Sequence, residues 1–127
     1  MRAYVDSDVL ILHLRGDPRA RDLLRSLRSD PSCELYMGAL QRAEIVFFAR
    51  DAELTDTLLL LSLFETVPID AAVVDMGGVV YRSWHASHGT DVADALLAAS
   101  AMKTGGRIYT LNRKHFPMPD LVVEQAW

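Results

Sequence analysis

An α/β fold with a largely parallel central sheet of five short strands is what this sequence predicts, on three observations. Short apolar stretches of strand character alternate with longer helical segments along the whole chain. Helix starts and stops punctuate that alternation, with Asp17-Pro18 and Asp70 opening helices and Asp30-Pro31-Ser32 and Gly105-Gly106 closing them. The 127 residues contain no internal repeat, low-complexity segment or linker, so the expectation is one domain over 1–127, large enough to bury its own core.

Residues 2–5 (Arg-Ala-Tyr-Val) read as a short buried strand. A first helix follows over 8–14, with Ser7 as its cap. Asp17 caps the second helix and Pro18 takes its first position, where a missing N–H is harmless. Leu23, Leu24 and Leu27 give that helix an apolar stripe, and Arg21, Arg25 and Arg28 its solvated face. Residues 34–37 form the second strand. The next helix, over about 39–50, turns Leu40, Ala43, Phe47 and Phe48 to one side, and another over about 53–64 ends in the apolar "TLLLLSLF". Residues 66–69 are the third strand, and Asp70 caps a helix over about 71–87. A last helix over 91–103 stops at Gly105-Gly106, and the final strands are 107–111 and 121–124.

Half of the residues are hydrophobic and 24% are charged, an ordinary composition for a folded soluble protein. The net charge of −4 argues against a general nucleic-acid coat, yet leaves room for an enzyme that grips RNA through a local basic rim. The single Cys33 cannot form an internal disulfide and reads as inert. There is no secretory leader pattern, and no apolar run is long enough to span a bilayer. The expected setting is the cytoplasm, away from membranes.

In parallel sheets ligands bind beyond the carboxyl ends of the strands, and that edge collects the acids. Asp6 ends the first strand, Glu44 lies early in the helix after the second, and Asp91 and Asp94 open the helix that leads into the fourth. Asp94 sits in "ADALLAASAM", apolar almost all round, where an unpaired carboxylate is expensive. Taken singly, each acid has a plainer role. A helix N-terminus favours Asp94 by a few tenths to about 1 kcal/mol, Arg42 or Arg50 could pair with Glu44, and strand ends commonly carry Asp. Taken together, three converging carboxylates repel and raise one another's pKa, and a divalent cation relieves the conflict. All-oxygen donors select a hard ion, Mg²⁺ or Mn²⁺. Such an ion suits phosphodiester hydrolysis, in which the substrate adds its own anionic oxygens.

"VDSDVLI" resembles the opening motif of PIN-domain ribonucleases, commonly Asp-Thr-Asn-Val-Leu-Ile, and "AEIVFFA" resembles their central Glu motif. "ADALLAASAMKTGGRIYTLNRKHFP" resembles the carboxyl-terminal block of the VapC toxins of bacterial toxin–antitoxin modules. The resemblance spans the chain in the family's order. It implies a Rossmann-like PIN domain, an α/β/α sandwich around a mostly parallel five-stranded sheet. It also implies a type II toxin with Mg²⁺-dependent endoribonuclease activity, Mn²⁺ substituting, whose catalytic and metal-holding acids are Asp6, Glu44 and Asp94. A fourth acid often follows strand four. Here Asn112 and His115 stand there, neither a carboxylate, and Asp91 is the candidate to supply the missing charge. Ser7 would orient Asp6 or cap the helix, and Asp8 stands where the family commonly has Asn.

The resemblance further implies an RNA substrate, a homodimer, and a VapB-type antitoxin lying in an apolar groove. Residues 58–64 with "VLILHL" are the candidate groove, although plain core packing accounts for at least half of those leucines. Arg15, Arg19, Arg113 and Lys114, beside His115, form a candidate basic rim for RNA phosphates. His85 and His88 lie one turn apart but lack a third ligand, so they read as a solvated helix end. Trp127 has no explanation at this level. Two alternatives stand beside the nuclease: a phosphoryl-transfer domain of receiver or haloacid-dehalogenase type, and a non-catalytic binding domain on the PIN fold.

Overall fold

The computed structural model describes residues 1–127. Five strands form one sheet in the order β3-β2-β1-β4-β5, all parallel. They are β1 (Arg2–Val5), β2 (Glu34–Gly38), β3 (Glu65–Val67), β4 (Arg107–Thr110) and β5 (Val123–Gln125). The helices are α1 (Ser7–Leu14), α2 (Pro18–Ser29), α3 (Ala39–Val46), α4 (Leu54–Leu61), α5 (Ala71–His88) and α6 (Val92–Thr104). No helix is long and apolar enough to cross a membrane.

The central strand β1 is apolar on both faces because both are covered. Tyr4 joins one core with Val80, Leu97, Ala98 and Ile108, under α5 and α6. Ala3 and Val5 join the other with Leu10, Leu24, Met37 and Leu61, under α1, α2 and α4. The result is the α/β/α sandwich expected from the sequence. Both border strands are only three residues long, and Pro68, which has no N–H to donate, follows β3 directly.

The double glycine after α6 serves two needs. Gly105 takes the left-handed cap at φ +80°. Gly106 lets Tyr4 approach, since a Cβ there would stand 2.5 Å from the Tyr4 ring.

Several boundaries differ from the sequence expectation. Asp6, not Ser7, caps α1: it is extended at φ −69°, ψ 154°, and its carboxylate accepts the Ser7 N–H. Helix α3 stops at Val46, four residues short, and its buried positions are Gln41 and Ile45. Phe47 and Phe48 fall beyond that face and stand 79% and 85% exposed. A 3₁₀ turn at Asp51–Glu53 precedes α4, which ends at Leu61. Strand β3 spans Glu65–Val67 rather than 66–69, and β5 begins two residues later than expected.

Candidate active site

From β1 the chain moves outward through β2 to β3, then crosses back to place β4 on the other side of β1. The strand order therefore reverses between the carboxyl ends of β1 and β4, which is where open α/β sheets bind ligands. Asp6 directly follows the first of those strands and Thr110 ends the second.

Asp6 is buried, and its carboxylate accepts from the Ser7 N–H at 2.8 Å and from the Thr110 hydroxyl at 2.9 Å. Burial, then repulsion from Asp8 and Glu44, pushes its pKa up to about 7 against the hydrogen bonds that lower it. Asp94 is likewise pushed up to about 7, first by burial and then by its acidic neighbours Asp91 and Asp6. Burial also raises Glu44, with Asp91 and Asp8 adding repulsion. These mutual effects bring Asp6, Glu44, Asp94, Asp91 and Asp8 into one electrostatic neighbourhood.

Each acid is held by identifiable local bonds. Asp91 caps α6, accepting from the Asp94 N–H at 2.7 Å, while Asp94 Oδ2 accepts from the Asp91 N–H at 3.1 Å. The Ser7 hydroxyl reaches Glu44 Oε1 at 3.5 Å. Glu44 has no basic partner: Arg42 donates to the Thr66 hydroxyl at 3.2 Å and Arg50 pairs with Glu53. Gln41, on the same helix and almost fully buried, donates to the Ala93 carbonyl at 3.0 Å. That bond ties α3 to the start of α6 and so fixes Glu44 relative to Asp94.

Asp8 has a different task from Asp6. Its Oδ2 accepts from the Leu111 N–H at 3.0 Å and the Asn112 amide at 3.3 Å, bracing the loop after β4. Asn112 thus faces Asp8. His115 lies in the 3₁₀ turn Arg113–His115, its Nδ1 3.3 Å from Asp94 Oδ2. Thr90 seats that turn by donating to the His115 carbonyl at 2.7 Å.

The donor set is all carboxylate oxygen with one imidazole, and Cys33 takes no part in it. That chemistry fits a hard divalent cation. As the side chains stand, no three of them close on a single point. The fit therefore rests on donor type and crowded charge.

Of the candidate RNA-contacting cations, Arg19 is engaged within the fold. It pairs with Asp17 at 2.9 Å and lies over the Trp127 ring at 5.1 Å, which accounts for the terminal tryptophan. Arg15, Arg113 and Lys114 are exposed and have no acidic partner. His85 bonds the Thr90 carbonyl and stacks on Tyr81, and His88 meets Ser87 and Trp84, so the two form no metal pair.

Sequence reasoning missed Thr110, Gln41 and Thr90, all buried. Each is a neutral side chain that acts through its place in the fold, and only Thr110 had a local cue, the Thr-x-Asn ending of β4.

The family model of the PIN domain matches residues 3–118. Ribonuclease VapC10 of Mycobacterium tuberculosis is 38% identical over 115 residues, covering 90% of this chain and 85% of the relative. Ribonuclease VapC19 of the same organism is 33% identical over 119 residues, covering 92% and 94%. Among solved structures, a toxin–antitoxin complex from Klebsiella pneumoniae superposes with TM-score 0.80 at 20% identity, over 98% of both chains. VapBC-1 from nontypeable Haemophilus influenzae gives 0.79 at 17% identity, over 99% and 98%. At those identities the structures speak to the fold, and the two relatives carry the kinship in sequence. The chain belongs to the PIN-domain family, with the VapC toxins as its relatives.

Proposed function

We propose that this protein is a divalent-cation-dependent endoribonuclease, the toxin of a type II toxin–antitoxin module. The observation that carries the reading is the crowding of Asp6, Glu44 and Asp94 at the β1–β4 switch point, with two of the three carboxyls pushed up to about 7. Its likeness to two ribonucleases supports the substrate class.

Asp6, Glu44 and Asp94 would hold Mg²⁺, or Mn²⁺ in its place. When bound, such an ion would supply positive charge for the phosphoryl oxygens and acidify a water for phosphodiester hydrolysis. The chain's own groups do the positioning. The Ser7 amide and Thr110 hydroxyl hold both oxygens of Asp6, Gln41 sets the approach of Glu44, and the capping box orients Asp94. Asp91 adds negative charge beside Asp94, and of the two candidates for a fourth position, Asn112 bonds Asp8 while His115 lies 3.3 Å from Asp94. Arg15, Arg113 and Lys114 would steady the RNA backbone.

The partner is a VapB-type antitoxin. A cleft of about 430 Å³ between α1, α2 and α4 has a floor of Leu24, Leu35, Leu60, Leu63 and Phe64, with Arg21, Arg25 and Arg28 along it. It suits an amphipathic segment with acidic flanks. Val74, Val79 and Val92, exposed on α5 and α6, are offered to a second copy in a homodimer.

A receiver-like phosphoryl-transfer domain needs a lysine beyond the last strand. The chain's two lysines lie elsewhere, Lys103 pairing with Asp70 and Lys114 following β4.

The test is cleavage of structured RNA with Mn²⁺ or Mg²⁺ against the same reaction in EDTA. Activity should require the ion and vanish in Asp94→Asn. Full activity in that variant would sink the catalytic assignment.

A further inference from the structure

We infer that Phe48 is a stacking platform for a nucleobase of the RNA strand as it leaves the acid site, with Arg15 holding the adjoining phosphate. The inference rests on the ribonuclease reading above. A second cleft, of about 840 Å³, runs between α1, α3 and α4, and Glu44, Arg15 and Phe48 line it. Glu44 belongs both to this cleft and to the acid cluster. An RNA whose scissile phosphate lies among Asp6, Glu44 and Asp94 has to continue past Glu44, and this cleft is the continuation.

Phe48 is 85% exposed, the most exposed large apolar side chain in the protein, with Phe47 next at 79%. Placing it there gains the fold nothing in apolar burial. A ring standing free at a nuclease's rim offers a π-face to any base, a sequence-tolerant contact. Arg15, at the end of α1, has no acidic partner, while Arg50 on the same cleft is paired with Glu53. The lining interrupts Ile11, Leu14 and Ile45 with charged groups. That mixture matches bases and phosphates, whereas the cleft between α2 and α4 presents more apolar than polar surface and better serves an amphipathic peptide.

The experiment titrates protein into a non-cleavable 2′-O-methyl RNA octamer carrying one 2-aminopurine. Wild type and Phe48→Trp should quench the probe, and Phe48→Ala and Phe48→Leu should lose the quenching and bind about tenfold more weakly. With cleavable RNA, KM should rise in Phe48→Ala with kcat within about twofold. Because the side chain is exposed, melting should be unchanged across the set. Phe48→Leu performing as wild type would overturn the stacking role, since leucine keeps apolar bulk without a π-face. RNA binding intact in Phe48→Ala, with capture of the antitoxin lost, would overturn it in favour of a protein-binding face. If wild type neither binds the octamer nor cleaves RNA, the ribonuclease reading itself falls; if wild type cleaves and all variants match it, only this inference falls.

Discussion

His115 Nδ1 lies 3.3 Å from Asp94 Oδ2, so its imidazole touches one of the three carboxylates proposed to hold the cation. Thr90 fixes the histidine from behind by bonding its carbonyl. Groups that orient metal-holding carboxylates typically matter 10–100-fold to affinity or activity. His115→Ala should therefore lower RNA cleavage by about 10–100-fold while leaving the melting temperature within a few degrees. Rates measured across a Mn²⁺ series check it, and an unchanged rate at limiting Mn²⁺ refutes the role.

Without a cation, the raised carboxyls should make the protein weaker in base than in mild acid. Asp6 has a folded pKa of about 7 against an ordinary 3.8. Between those values the folded state keeps a proton that the unfolded chain has released, so stability falls as pH rises through the window and stays low above it. In EDTA, Asp6→Asn should melt higher than wild type at pH 8 and lose that advantage near pH 4. The asparagine oxygen still accepts the Ser7 N–H, so the α1 cap survives. Equal pH profiles for the two proteins would contradict the crowding.

Cation binding should reverse that penalty. A ligand at about 100 times its Kd stabilises the state it binds by about 2.7 kcal/mol. Mn²⁺ should raise the wild-type melting temperature at pH 8 and have little effect on Asp94→Asn. A flat response in wild type would favour the non-catalytic reading of the fold.

Thr110 is fully buried and its hydroxyl donates to Asp6 while accepting the Asn112 N–H at 3.1 Å. Thr110→Val keeps the shape and removes both bonds. Leaving buried partners unsatisfied costs about 1–3 kcal/mol, and the freed Asp6 should lower kcat. Urea melts and cleavage assays separate the two effects, and a variant with wild-type kcat would show that the hydroxyl does not position Asp6.

The alternation of strands and helices was legible because parallel strands buried on both faces leave continuous apolar runs, as in residues 2–5. Asp6, Glu44 and Asp94, the acids proposed for the site, stand out in the sequence because a carboxylate in apolar surroundings is unusual. Other features depend on contacts between distant segments. Nothing near Gln41 announces that its amide will reach Ala93, and the bonds from Asp8 to Leu111 and Asn112 form only when the loop after β4 folds onto it. Phe47 and Phe48 continue the apolar pattern of α3, yet the helix ends before them, since the chain turns into the 51–53 segment and offers them no neighbour.

The two three-residue border strands bear on how this protein can meet others. So short a border offers few free N–H and C=O groups for an incoming strand, and Pro68 curtails one of them further. Extending the sheet with a sixth strand from a partner is therefore disfavoured, which also guards the molecule against edge-to-edge aggregation. Recognition is left to side chains on the helical faces, where a partner gains little from the main-chain bonds that any sequence can make. Discrimination between similar partners is what such a surface permits.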